Sequence, residues 1–293
     1  MSKVWLITGS SRGIGRQLAQ AVLASGHRLI ATARKPEQLN DLEKKYGDQV
    51  RTIALDVTDP IAARSAVHSA IEAFGRLDVV VNNAGYGNIA PIEDLTDEDL
   101  RAQMDTNFFG VVNVTRAAIP LLRAQRSGHI IQIASIGGRL GSPGLSAYQS
   151  AKWAVEGFSE VLSKEVGPLG IKVTIVEPGG FRTDWAGSSM QIAEVREEYK
   201  ATVGNHATYA RQSSGKQQGD PDKAAQAILQ IAQLPEPPLR LLLGSDAVYL
   251  AGIIAAARSA EDERWKSLSL STDFPGTPDV AERLGKLALI KNN

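Results

Sequence analysis

Six short apolar runs, "KVWLIT", "HRLIATA", "VRTIALD", "LDVVVN", "GHIIQIAS" and "IKVTIVEP", constrain what this chain can fold into. They are rich in Val and Ile and lack strict alternation of apolar and polar residues, the pattern of strands covered on both faces. Amphipathic stretches of helical length lie between them. Two of these, "GIGRQLAQAVLASG" and "DPIAARSAVHSAIEAFG", close on glycine, a common helix stop. Strand–helix alternation with right-handed crossovers predicts an α/β fold, a doubly wound parallel sheet of about seven strands with helices on both faces.

The rhythm holds to about Val176 and changes after "EPGG". Residues 184–219 are polar and weakly periodic, and read as a flexible lid or loop-helix insertion of the kind that contacts substrates. Its Trp185, Met190, Tyr199 and Tyr209 either cover a pocket or form local core. In "DPDKAAQAILQIAQL", Asp220 suits an N-cap and Pro221 the first helical position; "LRLLLG" reads as a last strand. "VYLAGIIAAA" reads as a buried or partner-facing helix, and the tail from about Ser259, with "STDFPGTPD", has no clear period. The expectation is one domain over 1–258, including the 184–219 segment, followed by a C-terminal extension over 259–293.

Composition removes several classes of function. Among 293 residues, Lys plus Arg number 32 and Asp plus Glu number 32, so nothing points to nucleic acid or a charged membrane surface. Cysteine is absent, which removes disulfides and thiolate metal sites and fits a reducing compartment. His27, His68, His129 and His206 are scattered with no ligand-spaced pair, so no metal site is expected. No run approaches the roughly 20 apolar residues of a membrane span, and "KVWLITGS" runs into glycines without a cleavage pattern. A soluble, cytoplasmic chain is the expectation.

"LITGSSRGIGRQLA" follows the first strand and opens the first helix, with Gly9, Gly13 and Gly15 spaced Gly-x-x-x-Gly-x-Gly. Glycines in that context permit a tight turn and let a pyrophosphate approach backbone N–H groups at a positive helix end. Alone they mark only a turn. At the end of the second strand, "LIATARKPEQ" places Ala33 where a carboxylate would hold an adenosine ribose, and Arg34 and Lys35 follow. A cation without an acid suits a 2′-phosphate, and Arg12 in the glycine loop offers a second positive charge. NADP(H) is therefore favoured, with NAD(H) possible. The other reading makes both arginines solvated surface residues.

With these motifs the sequence resembles the short-chain dehydrogenase/reductase family, in its single-domain branch. The matching residues are "TGSSRGIG" (Thr8 to Gly15), "LDVTD" with Asp56, "NNAG" (Asn82 to Gly85), and Asn107 in "MDTNFFG". They continue with Ser135 in "IIQIAS", Tyr148 and Lys152 in "YQSAK", and "EPGG" from Glu177, over about residues 3–185. The resemblance implies a Rossmann-like fold and a small carbonyl or alcohol substrate. It also implies a homodimer or homotetramer built on the helices near Asn107 and Tyr148. For cofactor contacts it implies Gly9, Ser11, Arg12, Gly13, Ile14 and Gly15 of the loop, together with Arg34. Asp56 and Val57 would lie at adenine, and Asn83, Ala84 and Gly85 would line the cleft. Pro178, Gly179 and Thr183 would lie near the nicotinamide. "NNAG" also reads as an ordinary turn after a strand.

Carbonyl reduction by hydride leaves an alkoxide that needs a proton. A phenol can supply it, but its ordinary pKa near 10 makes it a poor base near neutrality. A lysine cation beside it would lower that value, and Tyr148 and Lys152 share a helix face at i,i+4. Lys152 would also reach the nicotinamide ribose. Ser135, at a strand end, would hold the substrate oxygen, or else serve as a turn former or helix cap. The family uses Asn107 to hold water in a proton relay; otherwise an asparagine in a helix suggests a local backbone bond. Two other readings stand beside an NADP(H)-dependent carbonyl reductase. One is an NAD(H)-dependent alcohol dehydrogenase of the same family, the other a non-catalytic dinucleotide-binding regulator.

Overall fold

A computed structural model describes residues 2–186, 190–276 and 280. The first half runs β1 (Val4–Ile7), α1 (Gly13–Ala24), β2 (Arg28–Ala33), α2 (Asn40–Tyr46), β3 (Val50–Ala54), α3 (Pro60–Phe74), β4 (Val79–Asn82), β5 (Asn88–Ile89), α4 (Asp97–Met104) and α5 (Gly110–Gln125). The second half runs β6 (Gly128–Ile133), α6 (Ser146–Val166), β7 (Ile171–Pro178), β8 (Gln191–Ile192), α7 (Asn205–Ser213), α8 (Pro221–Ile231), β9 (Arg240–Leu243) and α9 (Ser245–Leu270).

Seven strands form one parallel sheet in the order β3-β2-β1-β4-β6-β7-β9, a Rossmann-like arrangement that reverses direction between β1 and β4. Its central strands are buried on both faces, which explains their missing alternation. Trp5 and Ile7 pack with Leu18, Val22, Leu39 and Ile228 on one side. Val4 and Leu6 pack with Val67, Val114, Leu122 and Leu162 on the other. Every crossover therefore returns the chain to the same edge, and all seven carboxyl ends open there.

Local chemistry fixes the helix ends. Asp59 Oδ1 accepts from the N–H groups of Ile61 (2.7 Å) and Ala62 (3.2 Å), Pro60 follows, and α3 stops at Gly75 with φ 77°. Asp220 caps α8 in the same way, accepting from Asp222 and Lys223, as the sequence predicts. Such caps contribute about 1 kcal/mol each.

The 184–219 segment is a folded insertion over its described part. β8 pairs in parallel with β5, Lys200–Gly204 forms a π turn, and α7 follows. Residues 187–189 lie outside the described residues. Tyr209 is 68% exposed and belongs to neither pocket nor core, whereas Met190 is buried with Ile89, Leu145, Tyr148 and Val203.

Residues Met1–Ala251 form one compact unit and Gly252–Asn293 a second. The described part of the second is helical to Leu270 and largely exposed, with Lys266 paired to Glu263 at 3.2 Å and Arg264 over the Trp265 ring at 5.3 Å. The tail therefore keeps helical structure past Ser259. An exposed helix needs no apolar stripe, so the sequence shows no period there. In "VYLAGIIAAA" only Ala251 is buried, while Val248, Tyr249 and Ile253 are exposed, so the helix is not a buried one. Expectations for 277–279 and 281–293 lie outside the described residues. No helix among the described residues is long and apolar enough to cross a membrane.

His129, buried in β6, has its Nε2 2.9 Å from Thr174 Oγ1, and Thr174 donates onward to the Pro238 carbonyl. Thr174 therefore accepts from a neutral ring. Burial pulls the imidazole down to about 3, helped by Lys172 and Lys3. As pH falls below the ordinary 6.5, the unfolded chain takes a proton that the folded chain refuses. Stability contributed above that value should thus fall toward about pH 3, by at most ~1.4 kcal/mol per pH unit. His129→Gln should flatten this part of the pH dependence, as read by urea unfolding across that range.

Candidate active site

The site begins at the reversal of strand order, just past β1. Gly9 and Gly13 adopt left-handed conformations, φ 67° and 57°, which carry the chain from strand to helix. At Gly15 a methyl group would run into the Asn83 amide and the Gly9 carbonyl. Neither a capping side chain nor a first-turn acid occupies the N-terminus of α1. Its positive end and unpaired N–H groups therefore suit an anion.

Thr8 holds this loop to the one after β4. Its hydroxyl oxygen accepts from the N–H groups of Asn83 (2.9 Å) and Ala84 (3.0 Å). The Asn83 amide donates back to the carbonyls of Thr8 (2.9 Å) and Gly9 (3.1 Å). Asn82, deeper down, donates to Thr115 Oγ1 and Gln132 Oε1. In "NNAG" both asparagine side chains are thus occupied in shaping the turn, and Ala84 and Gly85 carry it across the sheet edge.

Arg12 and Arg34 are exposed and make no ion pair among the described residues, whereas Arg16 is held by Asp41. Burial and then Asp99 raise the Tyr86 phenol, with the charge of Arg34 pulling the other way. Ser11 and Ile14 are half-buried in the loop, and Ala33 is buried at the end of β2. Asp56 Oδ1 accepts from the Thr58 N–H (3.0 Å) and hydroxyl (2.8 Å), shaping the turn after β3. Val57 is buried against Gly110, where a methyl group would come 2.5 Å from Val57 Cγ2.

Asn107 sits in a π turn, Asp105–Phe109, between α4 and α5, in which the Gly110 N–H reaches back to the Asp105 carbonyl. Such turns recur at functional sites. Its side chain makes two bonds to one residue: Oδ1 accepts from the Tyr86 N–H (3.0 Å) and Nδ2 donates to the Tyr86 carbonyl (2.9 Å). The local-bond expectation is thus replaced by a contact across the cleft to the loop after β4.

Ser135 leaves β6 extended and caps a short turn, its Oγ accepting from the Gly137 N–H at 3.0 Å. Tyr148 is 8% exposed, and burial pushes its phenol up to about 12, with the nearby Ser135 hydroxyl pulling the other way. Lys152 is also buried; desolvation lowers it to about 8, opposed by Glu156. Its Nζ donates to the Ile133 carbonyl at 2.7 Å and lies 5.7 Å from the Tyr148 ring centroid. The expected lowering of the phenol by this lysine is therefore not realised in this state. Burial outweighs it, and the ammonium is committed to a carbonyl instead of the phenol oxygen.

Beyond β7, the Gly179 N–H donates to the Leu243 carbonyl (2.8 Å) and the Gly180 N–H to Asp246 Oδ2 (2.7 Å). Thr183 faces Gly13, where a methyl group would lie 3.6 Å from Thr183 Cβ, so the turn after Pro178 meets the glycine loop. The Trp185 ring lies 5.1 Å from that of Tyr148 and closes the space above it. Sequence pattern singles out neither Thr8 nor Asp246 as a group that shapes the site. Their roles come from backbone groups that only the fold brings near.

The family profile described as short chain dehydrogenase matches residues 3–193. The chain belongs to the short-chain dehydrogenase family. "Oxidoreductase BOA17" of Botryotinia fuckeliana is 56% identical over 93% of this chain and 100% of its own. A short-chain dehydrogenase structure from Streptomyces avermitilis has a TM-score of 0.87 at 42% identity, covering 94% of this chain and 100% of that one. A Burkholderia cenocepacia short chain dehydrogenase solved in complex with NADP has a TM-score of 0.71 at 26% identity, covering 90% of this chain and 97% of that one. This short-chain dehydrogenase is accordingly an oxidoreductase.

Thr8→Val keeps the shape of the side chain but leaves the Asn83 and Ala84 N–H groups without their acceptor. A loss of about 1–3 kcal/mol in unfolding free energy is expected. Dinucleotide affinity, read by fluorescence titration, should fall with it, because the glycine loop loses its tie to β4.

Proposed function

We propose that this short-chain dehydrogenase is an NADP(H)-dependent oxidoreductase that interconverts a ketone or aldehyde and an alcohol, with Tyr148 as general acid and base. The observation that carries this is the buried Tyr148 near Ser135 at the carboxyl edge of the sheet, with the Lys152 ammonium 5.7 Å from its ring centroid.

The residues present fit a nicotinamide dinucleotide. Gly9 and Gly13 turn the loop through left-handed conformations, Gly15 packs on Asn83 and the Gly9 carbonyl with no room for a side chain, and the N-terminus of α1 is uncapped. Gly9, Ser11, Gly13, Ile14 and Gly15 would hold the pyrophosphate side, and Asp56 and Val57 the adenine. Ala84 and Gly85 would line the floor, with Asn83 holding the loop. Pro178, Gly179 and Thr183 would border the nicotinamide. Arg12 and Arg34, with Ala33 in place of an acid, favour a 2′-phosphate. The NADP complex of the Burkholderia relative supports the same choice. When bound, the cofactor supplies or accepts hydride.

The chain's own groups govern the proton. With its phenol held high by burial, Tyr148 is protonated at neutral pH and ready to donate to a carbonyl oxygen, which suits reduction. Ser135 is placed to bond that same oxygen and stabilise charge as it develops. Movement of the Lys152 ammonium toward the phenol oxygen would assist the reverse reaction by stabilising phenolate. Asn107 holds the Tyr86 backbone and so the far wall. Ile89, Leu145, Met190 and Val203 pack with Tyr148 in one buried apolar cluster, which holds the insertion against the catalytic helix.

Tyr148→Phe should lower kcat by about 10²–10⁴-fold while NADPH binding changes little. Near-normal turnover in a carbonyl panel would overturn the assignment. Arg34→Ala should weaken NADPH about tenfold or more and leave NADH almost unchanged, as measured by parallel titrations. Equal effects on both would remove Arg34 from the 2′-phosphate.

A further inference from the structure

Beneath Tyr148 and Lys152 lies a group of charges that the proposed reaction does not use. Glu177, 0% exposed, stands in β7 directly before Pro178 and Gly179. Arg139, just past the turn that Ser135 caps, approaches one of its carboxylate oxygens at 2.6 Å through Nε and the other at 2.8 Å through Nη2. Arg240 of β9 lies 3.5 Å from the same carboxylate, 3.2 Å from Glu156 and 2.9 Å from Glu160. Glu156 follows Lys152 by one turn of α6.

The fit around Glu156 is close. A methyl group at Gly138 would come 2.8 Å from Glu156 Cγ and 3.2 Å from the Lys152 carbonyl. Glu156 Oε1 is buried without a hydrogen-bond partner. The turn bearing Ser135, the helix bearing Tyr148 and Lys152, and the strand ending at Pro178 thus all join one ionic knot. Stability alone is a weak reason for it, because buried ion pairs often contribute little over apolar packing.

We propose that Glu156 is a positioning residue for the reaction, whose carboxylate, oriented by Arg240 and by the Arg139–Glu177 pair, keeps Lys152 an ammonium beside Tyr148. The groups facing Glu156 are Lys152 and Glu160 on its own helix, Arg139 beyond the Ser135 turn, Glu177 on β7 and Arg240 on β9. Burial and then Glu177 push the Glu156 carboxyl up to about 7 against the pull of Arg240 and Arg139, so both arginines favour the charged form, which prevails above neutrality, where Lys152 titrates. That charge in turn opposes the desolvation of Lys152. Loss of the carboxylate should let Lys152 lose its proton at lower pH.

The inference rests on the function proposed above, but its test does not require turnover. The lysine ε-carbon of Lys152 is titrated by NMR in the full-length, isotope-labelled protein, with the resonance assigned from Lys152→Arg. Glu156→Gln should lower the Lys152 midpoint by about one pH unit, and Glu156→Asp by less. Arg240→Gln decides the mechanism by its sign. Direct loss of a cation would raise the Lys152 midpoint, whereas loss of support for the Glu156 charge lowers it. We expect a fall. An unchanged midpoint in Glu156→Gln, or a rise in Arg240→Gln, overturns the proposal, and the Arg240 variant decides alone if Glu156→Gln does not fold. In wild-type protein that turns over a carbonyl, Glu156→Gln should move the alkaline fall of kcat down by about one pH unit, with KM changed less than about threefold. Absence of any turnover in wild-type protein would sink the proposed function and still leave the lysine titration to judge this inference.

Discussion

The Thr8 hydroxyl stands where the order of strands reverses, and it joins the two loops between which a parallel α/β sheet opens its cleft. By accepting from Asn83 and Ala84 it fixes the turn after β4, and Asn83 in exchange fixes the carbonyls of Thr8 and Gly9. The start of α1 can then go without a side-chain cap, because the glycine loop is held in shape from behind. The same turn continues through Gly85 to Tyr86, which Asn107 clasps. Anion cradle, cleft floor and far wall are therefore parts of one hydrogen-bonded unit.

Burial is the second organising constraint. The phenol and the ammonium of α6 are both withdrawn from water, and each is pushed toward its neutral form, up for Tyr148 and down for Lys152. A site of this kind is sensitive to any nearby fixed charge, since little solvent is left to screen it. The ionic knot below, with Glu177 wholly buried between Arg139 and Arg240, supplies such charges at the root of each element that reaches the site.

Much of this was legible in the sequence. The apolar runs specify the strands because a sheet buried on both faces demands them, and Asp220–Pro221 marks the start of α8 by local hydrogen bonding alone. Tyr148 and Lys152 could be paired because helical spacing brings them together by construction. The charge state of that pair was not legible, because it depends on how deeply α6 is covered and on where the Ile133 carbonyl lies. Arg139 and Arg240 were equally hidden: 101 positions separate them in the chain, counting from 139 to 240, and they meet at Glu177 because β7 lies between β6, which leads to Arg139, and β9, which carries Arg240. The helix past Ser259 leaves no mark in the sequence for the opposite reason, since an exposed helix carries no apolar imprint.

The small β5–β8 ladder has a consequence for how such a protein can diversify. Its register pairs Asn88 with Gln191 and Ile89 with Ile192, and Ala193 adds one more bond to the Ile89 carbonyl at 2.9 Å. These links are made by peptide groups, so they place few demands on side-chain identity. Residues of the insertion that face the site can therefore drift in size and polarity while their attachment persists. Selection can revise which molecules are admitted without rebuilding the machinery that acts on them.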